Sequence, residues 1–162
     1  MRLAEYTDYT LRVLMYCAQR PQQLVTIGEL AEHHGVSKNH LMKVVNDLAR
    51  QGVLATTRGR GGGLRLLKDP ADIRVGDVVR AAETDFRMVE CFDAHTNTCG
   101  LNPSCRLKQV LAAALQAYFR ELDSATLADI STPLKRVAKE PGETVMRRSA
   151  AAPVRRTVKA GT

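Results

Sequence analysis

No run of 18 apolar residues occurs in this 162-residue sequence, although 44% of it is hydrophobic. A membrane-spanning helix is therefore not expected, while there is apolar material enough for a core. The N-terminal residues do not read as a signal peptide, so the expected compartment is the reducing cytoplasm. No nucleophile elbow and no pair of catalytic carboxylates stand out, and the glycines at 61–63 lack the Lys-Ser/Thr ending of a phosphate loop. An enzyme built on a cysteine with His95 and Asp93 thus has no supporting pattern, and no catalytic residue is assigned. Cysteine is also scarce, with four in the chain. Three of the four nevertheless gather at Cys91, Cys99 and Cys105.

The spacing Cys91-x7-Cys99-x5-Cys105 falls in a polar run with Gly100 and Asn102-Pro103, which reads as a loop. Free cysteine is more often buried and scattered. An odd number of thiols in a reducing compartment fits disulfides poorly. A metal or iron–sulfur site is the stronger reading, since thiolates are the ligands both require. Cys17 lies apart, within a helical pattern, and reads as a core or boundary thiol.

The net charge is +7, and its distribution is uneven. Residues 135–162 hold eight Lys and Arg against two Glu, and residues 38–68 hold seven against one Asp. The rest of the chain is left at −5. Basic charge confined to one internal segment and one tail points to nucleic acid as partner.

The internal basic segment has a recognisable order. Thr7 is a candidate cap for a first helix with Leu11, Leu14, Met15 and Ala18 on one face, ended by Pro21. Thr26-Ile27-Gly28-Glu29 forms a capping box for a second helix. Gly35 suits its C-terminus, and Ser37 caps a third. Two helices joined so tightly form a helix-turn-helix. Leu41, Val44, Val45 and Leu48 make the inner face of the third helix. Lys38, Asn39, His40, Lys43, Asn46 and Arg50 make the outer one, with Lys and Asn suited to guanine and adenine edges. Strands over 53–57 and 64–67 then flank Arg58-Gly59-Arg60-Gly61-Gly62-Gly63, a flexible basic hairpin tip of the kind a winged helix places against DNA. Val75, Val78, Val79 and Ala82 predict a further helix packed back on this domain.

A long helix is predicted over 106–123, about 27 Å at about 1.5 Å per residue. Its stripe of Leu107, Val110, Leu111, Ala114, Leu115, Tyr118 and Leu122, widened by Phe119, exceeds what one small domain can cover. It is expected to pair with a second subunit. A homodimer sets two recognition helices on successive major-groove faces of a roughly palindromic operator. A short helix is expected near Thr126–Ile130. The basic tail is expected to be disordered and to add sequence-independent affinity.

Several runs together carry a family resemblance: Tyr6-Thr7-Asp8-Tyr9, Gly35-Val36-Ser37-Lys38-Asn39-His40, Arg58-Gly59-x-Gly61-Gly62-Gly63, Val75-Gly76-Asp77-Val78-Val79 and Cys105-Arg106-Leu107-Lys108. With Leu122-x4-Leu127-Ala128-Asp129, they resemble the iron–sulfur winged-helix regulators over about residues 1–130. Asn39-His40 and the Cys-Arg-Leu-Lys run favour that family's nitric-oxide-sensing repressors. The resemblance implies an iron–sulfur cluster, 2Fe–2S or 4Fe–4S, on Cys91, Cys99 and Cys105. It suggests Asp8 of the other subunit as fourth ligand, with His95, Asp93 and Glu90 as alternatives on the loop. Read alone, Asp8 is also a first-turn acid favourable to its helix dipole. The resemblance further implies nitric oxide as effector, attacking the cluster and releasing operator DNA so that detoxification genes are derepressed.

The expected fold is mainly α with a small β-hairpin, a winged helix-turn-helix followed by a long dimerisation helix. The expected organisation is 1–83 for DNA binding, 84–106 for the cluster loop, 107–134 for dimerisation and 135–162 as tail. The expected DNA-facing set is Tyr9, Ser37, Lys38, Asn39, His40, Lys43, Arg58, Arg60, Gly61 and Arg65. Two alternatives stay open on the same fold: structural zinc held by the cysteines and His95, and a loop that senses iron–sulfur or redox status.

Overall fold

In the computed structural model the described residues are 2–101 and 104–132. The expected tail of 135–162 and the Asn102-Pro103 turn lie outside them. Among the described residues no helix is long and apolar enough to cross a membrane.

Helix α1 (Glu5–Ala18) is followed by α2 (Ile27–His34) and α3 (Lys38–Arg50). The capping box forms as expected: the Glu29 N–H donates to Thr26 Oγ1 at 3.1 Å, and the Thr26 N–H donates to Glu29 Oε2 at 2.7 Å. Gly35 ends α2 with φ +64°, and Ser37 Oγ accepts the His40 N–H at the start of α3. Leu41, Val44, Val45 and Leu48 are all buried, so α3 presents the expected inner face.

Strands β1 (Leu54–Thr57) and β2 (Gly63–Leu66) pair antiparallel, Leu54 opposite Leu66 and Thr57 opposite Gly63. Leu54 and Leu64 point into the core. On the free edge of β2, Val25 exchanges two backbone hydrogen bonds with Leu64, at 2.9 and 2.8 Å. The wing is thereby sewn to the α1–α2 connection.

Helix α4 (Val75–Ala82) packs on α1 as predicted. Helix α5 (Arg106–Ser124) lies against α4, and α6 (Leu127–Ser131) returns to α1. A short antiparallel bridge fixes this return, with Val75 donating to the Ala125 carbonyl and Leu127 to that of Ile73. Leu127 is buried in the same core as Val13, Leu14 and Leu30.

The first helix corrects the sequence expectation in two ways. Thr7 does not cap it: the helix begins at Glu5, and Thr7 lies inside it at 0% exposure. Its hydroxyl donates to Glu83 Oε2 at 2.9 Å, and the same oxygen accepts the Ala4 N–H at 2.9 Å. A carboxylate just beyond α4 thus does the work of an N-cap from a distance. The inner face is also rotated, with Thr7, Thr10, Val13, Leu14 and Cys17 buried and Leu11, Met15 and Ala18 only partly so. Cys17 is a core thiol as expected, and burial pushes its pKa up to about 12.

Helix α5 reaches the domain through its C-terminal end. Arg80 on α4 donates to both oxygens of Asp123, at 2.6 and 2.7 Å, and lies over the Phe119 ring at 4.4 Å. Buried Gly76 permits this approach, since a Cβ there would stand 1.9 Å from Asp123 Oδ1. Gly76→Ala must push Asp123 off Arg80. Asp123 Oδ1 is the end of a flexible, partly exposed side chain that can swing aside, so the cost is the small one of a lost surface ion pair, against roughly 1 kcal/mol of helix propensity gained. The variant is expected to keep a urea midpoint close to the parent's. Asp123→Ala added to it should cost less than it does alone, because it removes the clash.

Candidate functional site

The outer face of α3 is presented as expected. Lys38, Asn39, His40, Lys43, Asn46 and Arg50 are all exposed, and Ser37 stands at the N-terminal end of the helix. The wing tip carries Arg58, Arg60 and Gly61, also exposed, with φ +96° at Gly59 and +79° at Gly61. Arg65 is exposed on β2 opposite Ala55. The Gly62 N–H donates to the Gly59 carbonyl at 3.0 Å, so the tip is a turn of defined shape.

Helix α1 backs α3 with two tyrosines. The Tyr9 ring lies nearly parallel to His40, centroids 6.2 Å apart. The Tyr6 hydroxyl donates to Asp47 Oδ2 at 2.7 Å, and Lys43 Nζ lies 5.6 Å from the Tyr6 ring centroid. Burial and the neighbouring Asp47 carboxylate push the Tyr6 pKa up to about 12. The Tyr6 hydrogen bond and the Arg50 guanidinium in turn hold Asp47 below the usual carboxylate range. Tyr6 and Asp47 were not among the expected site residues. They are 41 positions apart, and no local spacing announces such a pair.

Asp8 lies on α1 between these tyrosines, half-buried, and pairs with Arg12 at 2.7 Å. The three cysteines lie on successive pieces of the segment between α4 and α5. Cys91 is in a single 3₁₀ turn (Glu90–Phe92), Cys99 is further along the loop, and Cys105 is the residue from which α5 starts. All three are free and of intermediate burial. Among the described residues, no three Cys, His, Asp or Glu side chains are gathered as a set that could hold a metal ion.

The loop's acidic groups are turned to internal bonds. Glu90 Oε1 accepts the backbone N–H of Thr98 and, at 2.7 Å, its hydroxyl. Asp93 accepts the His95 N–H at 2.9 Å and pairs with Arg87, which also grips Asp85 at 2.9 Å. The backbone N–H of Thr98 holds Glu90, and that of His95 holds Asp93, below the ordinary carboxylate range. As donor chemistry, three uncrosslinked thiols on one segment fit a thiolate-ligated metal or iron–sulfur group.

Residues 3–133 match the Rrf2 family, described as an iron-dependent transcriptional regulator. The HTH-type transcriptional regulator NsrR of Bacillus subtilis is 53% identical over 131 residues, 80% of this chain and 90% of that protein. NsrR of Bacillus licheniformis is 50% identical over 131 residues, 80% of this chain and 92% of its own length. Among solved structures, T. potens IscR superposes with a TM-score of 0.64 at 27% identity, covering 80% of this chain and 85% of that one. Oxidised Staphylococcus aureus CymR gives a TM-score of 0.66 at 23% identity, covering 81% and 96%, a likeness of fold.

Tyr6→Phe removes the hydroxyl that joins α1 to α3 and leaves the ring in place. A hydrogen bond of this kind contributes about 0.5–1.5 kcal/mol to folding stability, so the variant is expected to be less stable by about that amount. Urea denaturation followed by circular dichroism checks this, with an unchanged midpoint counting against the bond.

Proposed function

Because the chain belongs to the Rrf2 family of transcriptional regulators, we propose that it is a homodimeric repressor holding an iron–sulfur cluster and releasing its operator in response to nitric oxide. Its relatives are transcriptional regulators rather than enzymes, and it is read here as a DNA-binding protein. The observation that carries the reading is the exposed polar face of α3 together with the exposed Arg58 and Arg60 of the wing tip. The helix would enter the major groove and the tip would meet the phosphate ridge or adjoining minor groove. The NsrR name borne by a relative 53% identical supports nitric oxide as the signal.

The dimer reading is supported by α5. None of its 19 residues is buried, and Leu107 and Val110 are 62% and 57% exposed. An apolar stripe of that length left in water favours a second copy of itself. Two such subunits would set their α3 helices about 34–36 Å apart, one turn of DNA.

Cys91, Cys99 and Cys105 would hold the cluster, with Asp8 of the partner subunit as the fourth donor. When bound, the cluster supplies iron that is open to nitric oxide at its one non-thiolate ligand. The chain's own part is to couple that site to α3. Asp8 shares one helical turn with Tyr6 and Tyr9, and both tyrosines touch the recognition helix. A donor drawn from α1 therefore ties the cluster site to the helix that reads DNA. Zinc or redox-status sensing on the same loop is the alternative to exclude.

Cys99→Ala is expected to give a folded dimer that has lost specific operator binding, measured by size exclusion and anisotropy under anaerobic conditions. Tight specific binding by the clusterless protein would sink the coupling. A colourless parent protein carrying stoichiometric zinc would replace the cluster with a structural metal. Separately, Arg58→Ala with Arg60→Ala should lower affinity alike on specific and random DNA. If both arginines of each subunit meet phosphates, four contacts are lost per dimer and the slope of log K against log salt flattens by about 3.6, at about 0.9 per phosphate contact.

A further inference from the structure

We propose that Glu90 is a positioning residue of the cysteine loop, a clasp that through Thr98 closes the Cys91–Cys99 segment and sets the separation of its two thiols. This rests on the reading of the loop as a metal site. Glu90 immediately precedes Cys91, and Thr98 immediately precedes Cys99. One oxygen of the Glu90 side chain takes both donors of Thr98, the backbone N–H and the hydroxyl. Two donors from one residue fix both the path of the backbone at Thr98 and the rotamer of its side chain. Because each partner stands one position before a cysteine, closing the clasp brings the two cysteine backbones to the same end of the loop.

The rest of the loop is arranged to the same end. The Cys99 N–H donates to Asn97 Oδ1 at 3.1 Å, so the residue after the clasp is held as well. Arg87 joins Asp93 to Asp85, anchoring the first half of the loop to the chain that leaves α4. Without these ties, the residues between Cys91 and Cys99 would have to be ordered at the moment of metal binding, and affinity would fall accordingly. Both bonds fall on Glu90 Oε1, which gives that oxygen an orienting role within the loop. Outer partners of this kind are worth about 10–100-fold in metal affinity. The clasp is exposed to water, so the lower end applies.

The test uses the full chain, reduced and metal-free, titrated anaerobically with cobalt(II) against a competing chelator. Thiolate-to-cobalt charge-transfer absorbance reports the number of bound thiolates, and hydrogen exchange across 91–99 reports loop order before metal is added. Glu90→Ala and Thr98→Val are each expected to weaken cobalt about tenfold, with unchanged charge-transfer intensity at saturation and faster exchange in the metal-free loop. Thr98→Ser, which keeps the hydroxyl, is expected to retain parental affinity. If Glu90→Ala weakens cobalt and alters the spectrum while Thr98→Val behaves as the parent, Glu90 is a ligand and the clasp is wrong. Parental affinity in both variants also overturns it. Absence of any cobalt–thiolate band in the parent protein fails the metal-site reading itself, a result distinct from a band that the variants do not change.

Discussion

The arrangement depends on one carboxylate oxygen. Thr7 has no exposure at all, and a hydroxyl so placed must find a partner or destabilise the core. Glu83 supplies it from 76 positions away and takes the Ala4 N–H as well. That pair of bonds fixes α1 in azimuth and height against the end of α4. Everything functional is then referred to α1. Tyr6 and Tyr9 set the recognition helix from its surface, Asp8 stands between them, and α6 closes over its other side through the Gln19 bond to the Ser131 carbonyl. The chain leaving Glu83 leads directly into the cysteine segment, so the DNA-reading face and the thiols diverge from the same point.

Much of this order was legible in the sequence where the determinants are local. The Thr26–Glu29 box, the Ser37 cap and the Leu41–Leu48 stripe each lie within a few residues, and each formed as its spacing implied. The arginine-glycine tip between two short β-prone runs was equally readable. What failed was decided at long range. Thr7 looks like a cap in sequence because nothing local reveals that Glu83 will take that role. The buried face of α1 is rotated because α4 and α6 cover it, and neither is visible from its own periodicity. In the cysteine segment, thiol spacing pointed to candidate donors but not to the Glu90–Thr98 hydrogen bonds, which join residues eight positions apart.

Charge and packing divide the labour of binding. The basic residues of 38–68 are exposed at the outer face of α3 and at the wing, where phosphate attraction is independent of sequence. On the proposed DNA-binding reading, discrimination depends instead on how α3 is held, since side chains at its N-terminal end would meet base edges within hydrogen-bonding distance. The Tyr6–Asp47 bond and the Tyr9–His40 contact act on that second quantity. They add no charge toward DNA, but they join the helix that reads to the helix that carries Asp8.

The three cysteines are mounted on parts of unequal stiffness, and this bears on what an occupied site can move. Cys105 stands at the first turn of α5, whose far end is locked to α4 by Arg80, Asp123 and the close approach at Gly76. Cys91 sits in the 3₁₀ turn Glu90–Phe92, beside Asp93, which Arg87 grips, whereas Cys99 depends on the loop's own clasp. A group bound by all three therefore has little leverage on the α4–α5 packing, which is already fixed without it. Its freedom to act lies in the loop and in any donor reaching it from outside the segment. On the proposed reading, a donor on α1 of a second subunit would turn such a local change into a shift of the α3 helices, because α1 packs in the core, against α3, and through Ala4 and Thr7 onto Glu83, from which the chain enters the loop.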